Sequence, residues 1–312
     1  MFMRRTILAA ATAAIALAGL AGTASAADPS WKKDVPVIRV GILGGEADAD
    51  RLARYDGFEK LLESTFNVKV ELYPASDYAG VMQGMAAGQL DLAEFGASGY
   101  AGLWLDCKCV EPLVVTKEDD GSTGYFSVLY VKSDSPYQKI EDLKGKTLAF
   151  ADPNSTSGYL IPNFQLKDQG FDPAKFFGST NFAGGHEQGV VAVMKGQYDA
   201  GVTWISGQGD PAVGYSRGAL RSMVDKKMLD MKDLRILWQS TLIPNGPWAT
   251  RTALPEAFRK DMLEFLTKLP VDHPDIYQAV EKGTGSGFAP VTNDFFSAII
   301  KMRETEATAR RS

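Results

Sequence analysis

Residues 37–96 read VIRVGILGGEADADRLARYDGFEKLLESTFNVKVELYPASDYAGVMQGMAAGQLDLAEFG. Val37–Leu43 is an apolar run of strand length that ends on a Gly pair, which predicts a buried strand turning into a loop. From Arg51 to Thr65, the residues Leu52, Tyr55, Phe58, Leu61 and Leu62 recur at helical spacing. Val68–Leu72 is a second strand, and Asp77–Ala87 is a helix stopped by Gly88. Leu90–Phe95 is a third strand, closing on Gly96. Strand and helix thus alternate as βαβαβ, which favours a parallel sheet with helices on both faces.

The pattern runs twice. Lys117–Gly124 is a polar, turn-rich connector, and Tyr125–Val131 is a strand after it. A second β/α series begins at Ile140, with strands at Thr147–Ala151 and Asp199–Trp204 and helices at Gly158–Lys167 and His186–Lys195. Ile243-Pro-Asn-Gly-Pro247 is another connector, followed by a mostly helical tail over Pro255–Leu269, Pro274–Lys282 and Asn293–Thr308. This organisation is an α/β fold of two lobes. Residues 27–123 and 241–312 make the first lobe, residues 124–240 are inserted as the second, and two crossing strands join them as a hinge.

The N-terminus, MFMRRTILAAATAAIALAGLAGTASA, has the anatomy of a secretory signal peptide. Arg4 and Arg5 precede an apolar run from Ile7 to Ala21 that is shorter than the ~20 residues a membrane span needs. Ala24-Ser25-Ala26 is a small-residue cleavage box, so cleavage is expected after Ala26. The 312 residues carry 33 Lys and Arg against 38 Asp and Glu, a net charge of −5. Without the leader the balance is 31 against 38, or −7. Such a chain has no basic footprint for nucleic acid. Cys107 and Cys109 are either thiols or a local disulfide, and two thiolates are too few for structural zinc.

Enzyme signatures are missing from the sequence. Gly145-Lys146-Thr147 resembles the end of a phosphate-binding loop, but Ile140 stands where its first Gly belongs. Only two histidines exist, His186 and His273, too few for a His-rich metal centre. Three loops carry the chemistry. In Asp152-Pro-Asn-Ser-Thr-Ser-Gly-Tyr159, three hydroxyl residues meet the unpaired amides of a starting helix, where one would suffice as a cap. Hydroxyls, amides and the positive helix end suit a tetrahedral oxyanion. No Lys or Arg lies between Lys146 and Lys167, so dipoles rather than a cation would hold it. Gly184-Gly-His-Glu187 places His186 at another helix start, where a neutral imidazole can donate one hydrogen bond. Gly96-Ala-Ser-Gly-Tyr100 follows the third strand. All three are strand-to-helix loops, the place where open α/β sheets bind ligands.

On these residues the chain resembles the phosphonate-binding periplasmic proteins of ABC importers. The likeness covers the whole chain after the leader. It also rests on Gly41-Ile-Leu-Gly-Gly-Glu46, Asp77-Tyr-Ala-Gly-Val81, Asp91-Leu-Ala-Glu-Phe95 and Ile243-Pro-Asn-Gly-Pro247. The resemblance implies a type II periplasmic binding protein with two lobes closing on ligand. It implies that Ser155, Thr156 and Ser157 hold the oxyanion with His186 donating, and that Tyr55 closes over it from the other lobe. Phe95 stands where many relatives have Tyr and leaves only a wall. Ser98 and Trp204 are further candidates for the cleft.

Relatives that hold an aminophosphonate pair its ammonium with two carboxylates, and those positions here are Ser206 and Gly246. Either the ligand has no amine or another acid serves, with Glu46 favoured over Glu94 and Asp210. The expected partners are a phosphonate, phosphite or phosphate ligand and a permease–ATPase complex of the inner membrane. The expected chain is a monomer of the periplasm with no cofactor, no metal and no catalysis. A phosphorus-ester hydrolase and a ligand-presenting sensor subunit are the alternatives.

Overall fold

The structure, a computed structural model, describes residues 28–309, and the expected signal peptide lies outside them. Twelve strands among these residues form two sheets. The first contains β1 (Val37–Ile42), β2 (Lys69–Pro74), β3 (Leu92–Glu94), β4 (Val110–Lys117), β11 (Pro247–Arg251) and β12 (Gly287–Pro290), in the order β12-β4-β11-β3-β1-β2. The second contains β5 (Gly124–Lys132), β6 (Thr147–Phe150), β7 (Ser179–Phe182), β8 (Ala200–Ile205), β9 (Leu234–Gln239) and β10 (Ile243–Pro244). Its order is β10-β5-β8-β6-β7, with β9 also paired to β5.

Each sheet is mixed. β1 pairs in parallel with β2 and β3, because the helices Asp48–Phe66 and Tyr78–Ala86 return the chain to the same edge. β11 runs antiparallel to both β3 and β4, and β12 is antiparallel to β4. The parallel βαβαβ unit is as expected, and the mostly helical tail is amended: two of its strands complete the first sheet antiparallel to their neighbours. They are short and bounded by Gly and Pro, so they carry no periodic signal.

The first helix buries Arg51, Tyr55, Phe58 and Leu62, and Leu52 is exposed. The apolar count thus misplaces the face by one residue, since Arg51 faces inward in place of Leu52. Arg51 Nη1 donates to the carbonyls of Leu43 and Ala75, each at 2.7 Å. A buried cation thereby satisfies acceptors just beyond the ends of β1 and β2, where a Leu would leave them unpaired. Behind it, Trp248 stacks on Phe58 with centroids 5.1 Å apart. Trp248 therefore belongs to the core.

The chain passes between the sheets from β4 to β5 and from β10 to β11. A buried polar knot ties these passages. Arg217 Nη2 donates to Glu118 Oε1 at 2.5 Å and to Asn245 Oδ1 at 2.8 Å, and Asn245 Nδ2 donates to the Thr116 carbonyl at 3.0 Å. Glu281 lies 3.5 Å from the same guanidinium. Residues 282–284 also hydrogen-bond the backbone of residues 216–218, Thr284 N to Ser216 O at 3.0 Å. Cys107 and Cys109 are joined by a disulfide.

Candidate functional site

The Asp152–Tyr159 loop leaves β6 and opens a π-helical turn over Thr156–Leu160, which runs on into the α-helix Ile161–Asp168. Ser155 Oγ accepts from Gly158 N at 2.9 Å, capping the turn. Thr156 Oγ1 accepts from Ser98 N, across the two lobes, at 2.8 Å. Ser127 Oγ donates to the Ser157 carbonyl at 2.6 Å and fixes that peptide. With its oxygen accepting a backbone N–H, the Thr156 hydroxyl keeps its own proton to donate. All three residues are buried.

His186 begins the helix His186–Met194. Burial, and then the charge of Lys282, push its pKa down to about 3, so the ring is neutral. Nε2 lies 3.2 Å from Ser155 Oγ and Nδ1 3.2 Å from Thr203 Oγ1. Both ring nitrogens are therefore within hydrogen-bond range of hydroxyls, Nε2 of one on the Ser155–Ser157 turn.

These groups line a cavity of about 80 Å³ between the lobes. A water needs roughly 10–15 Å³ of such space, so the cavity holds a handful of atoms. Tyr55, Phe95 and Trp204 line it together with Ser155, Thr156, Ser157 and His186. Ser98, Glu46 and Asp210 are not in the lining. Ser98 is buried behind Thr156 and supplies the N–H just described. Asp210 is exposed and caps a short turn by accepting from Ala212 N at 2.9 Å. Glu46 is held by Arg54 (3.1 Å), Lys226 (3.0 Å) and Lys282 (2.5 Å). Burial alone would raise its pKa, but Lys282 and Arg54 outweigh burial and keep it far below the usual carboxylate range. A carboxylate shared by three cations is a poor ammonium partner.

The sequence reading missed Arg54, Tyr78, Tyr125, Arg217, Asn245 and Lys282, all of which line the cavity. Arg54 carries the strongest signal. Its Nη2 pairs with Glu46, while Nε and Nη1 are buried and have no hydrogen-bond partner among the described residues. Such donors are costly unless something fills the cavity to accept from them. Arg54 and Lys282 thereby add cations from the opposite lobe to a cavity for which the sequence suggested dipoles alone. Gly246 also acquires a reason. A Cβ there would sit 1.7 Å from the Phe95 carbonyl oxygen, so no carboxylate can occupy that position. Ser206 is committed to Ser216, with hydroxyls 2.9 Å apart.

The lobes meet around this cavity. Gly45 and Gly185 face each other so closely that a Cβ on Gly185 would lie 2.2 Å from the Gly45 Cα. Lys226 of the second lobe reaches Glu46 and Asp50 of the first at 3.0 and 3.3 Å, and its own lobe's Glu187 at 2.6 Å. No helix among the described residues is long and apolar enough to cross a membrane.

A small polar cavity between two mixed α/β lobes is the arrangement of a solute-binding protein of the two-lobed type. A family model described as "ABC transporter, phosphonate, periplasmic substrate-binding protein" matches residues 40–296, and the chain belongs to that family. It is 34% identical over 268 residues to the Phosphate-import protein PhnD of Mycolicibacterium smegmatis, covering 80% of this chain and 78% of that one. Among solved structures, a binding-protein component of an ABC phosphonate transporter from Pseudomonas aeruginosa superposes with a TM-score of 0.75 at 26% identity, over 87% of each chain. PhnD1 from Prochlorococcus marinus, solved with methylphosphonate, shares the fold with a TM-score of 0.72 at 20% identity, over 87% of this chain and 98% of that one.

Proposed function

We propose that this protein binds a small, amine-free phosphorus oxyanion in the cavity between its lobes and hands it to an ABC permease–ATPase complex. The observation that carries this reading is Arg54, which has two buried, unpartnered guanidinium nitrogens and lines the same cavity as the Ser155–Ser157 turn. The size of the cavity supports phosphate, phosphite or methylphosphonate over a ligand with a long organic tail. Neither Ser206 nor Gly246 offers an ammonium a counter-charge, and Glu94, the carboxyl in the lining, already faces Lys282, Arg54 and Arg217.

The lobes close about the two passages, and closure brings Arg54 and Tyr55 onto an anion seated by the second lobe. The protein acts in the periplasm after removal of residues 1–26, as a monomer and without a cofactor. Its depressed pKa makes His186 a weak base, which supports binding over hydrolysis. Isothermal calorimetry with phosphate, phosphite, methylphosphonate and 2-aminoethylphosphonate tests the proposal. The first three are expected to bind more tightly than the fourth. Absence of heat and of thermal stabilisation with all four refutes it.

A further inference from the structure

The cavity built to receive an anion also contains a carboxyl group. Glu94 ends β3 and lines the cavity beside Arg54 and Tyr55. Its only hydrogen-bond partner among the described residues is the Tyr55 hydroxyl, which donates to Oε2 at 3.1 Å. Gly96, two residues on, lies so close to Thr156 that a Cβ there would be 3.1 Å from Thr156 Oγ1. The carboxyl and the anion-holding turn therefore share one small chamber. Two negative groups lining one cavity repel unless a proton lies between them.

We infer that Glu94 reads a P–OH group, sharing one proton with the bound oxyanion, and that it thereby makes inorganic phosphate the preferred ligand above neutral pH. This rests on the proposed function and refines it. Phosphate keeps one acidic P–OH in mildly alkaline solution, so it can donate to an ionised Glu94 at no cost. Phosphite and methylphosphonate lose their last acidic proton near neutrality. Each then binds only by taking a proton from solvent onto the Glu94–ligand pair.

The charged groups facing Glu94 fit this role. Tyr55 and Arg54 come from the first helix, Glu281 and Lys282 from the end of the helix Pro274–Glu281, and Arg217 from the second lobe. Burial, and then repulsion from Glu281, push Glu94 up to about 7, against the opposing pull of Lys282, Arg54 and Arg217. His186 stays neutral through this range and adds no proton of its own. An ammonium on the ligand could instead pair with Glu94, but those three cations and the small chamber oppose it.

The test is calorimetry of the full secreted chain with phosphate, phosphite and methylphosphonate at about pH 8 and about pH 9.5, where free Glu94 is ionised, in buffers of different ionisation enthalpy. Phosphate affinity should change little. The other two should weaken by about tenfold per pH unit above neutrality and take up one proton on binding. Glu94→Gln should remove this divergence. Parallel pH profiles for all three ligands in the wild type overturn the inference, as does a divergence that survives in Glu94→Gln. A selective loss of 2-aminoethylphosphonate binding in Glu94→Gln would also overturn it. Should that variant fail to fold, proton uptake by the wild type decides alone. Absence of binding by any ligand at any pH refutes the proposed function itself.

Discussion

Gly185→Ala should abolish tight binding without unfolding either lobe. The residue has φ 162°, an extended conformation open to any amino acid, so Ala brings no backbone strain. Its new Cβ would meet the Gly45 Cα at 2.2 Å, where carbon atoms normally pack at ~3.5–4.0 Å. The two lips must then part by roughly 1.5 Å. Lys226 and Glu46, 3.0 Å apart across the same seam, separate beyond contact range. Arg54 and Tyr55 withdraw from an anion seated on the Thr156 turn. Losing one or two hydrogen bonds to a charged acceptor costs about 3 kcal/mol, or about 100-fold in affinity. Calorimetry with phosphate should show that loss, while the melting temperature of the ligand-free protein stays near wild type. The control is Gly184→Ala. Its φ of 90° favours Gly, but an added Cβ there touches nothing within 4 Å. It should cost about 1 kcal/mol of stability and leave affinity largely intact. Wild-type affinity in Gly185→Ala would refute the idea that these glycines set the closed geometry.

Arg54→Met should weaken oxyanion binding by about 1.5–3 kcal/mol, and Arg54→Lys should restore little, because an ammonium cannot present the two unpartnered guanidinium donors. Equal affinities by calorimetry would place the anion elsewhere. Lys226→Met removes the ion pairs across the seam and should weaken binding by about 1 kcal/mol, more at low salt than at high, since the ammonium is partly exposed. Stopped-flow release that is unchanged at every salt concentration would contradict that role. Glu94 holds its proton more tightly folded than unfolded, so its contribution to ligand-free stability falls as pH rises from 4.5 to about 7. Glu94→Gln should therefore raise the melting temperature at about pH 8 and change it little at about pH 5, and a stabilisation larger at the acid pH would overturn the assignment.

The parts of this molecule that could be read from sequence are those whose physics is local. Val37–Phe95 declares its strands and helices because period-2 and period-3.6 patterns alternate over short distances. Ser155, Thr156 and Ser157 are legible because cap chemistry acts within one turn. The illegible parts depend on distant chain. Arg54 shows an unremarkable charge on a helix until the fold seals it against the other lobe. Asn245, Arg217, Glu118 and Glu281 form one buried knot from four separate segments. Gly246 reads as a missing carboxylate, and only the Phe95 carbonyl beside it explains why no side chain fits. The inward position of Arg51 is hidden for a related reason. Hydrophobic spacing assumes that inward positions are apolar, and here the ends of two strands demand a donor.

The net charge of −7 after removal of the leader poses a further question. An acidic protein that binds an anion need not rely on helix dipoles alone, yet its cleft holds little spare positive charge. Arg217 is matched by Glu118 and Glu281, and Lys282 is matched by Glu46. Arg54 gives one nitrogen to that same Glu46. What remains for a ligand is two guanidinium donors, the hydroxyls and amides of one turn, and a carboxyl whose proton can be present or absent. Net attraction in such a site is small, because nearly every charge is already balanced within it. Discrimination then falls to hydrogen-bond direction and to proton count. On this reasoning the buried Glu94, which looks like a defect in an anion site, is the group best placed to tell one oxyanion from another.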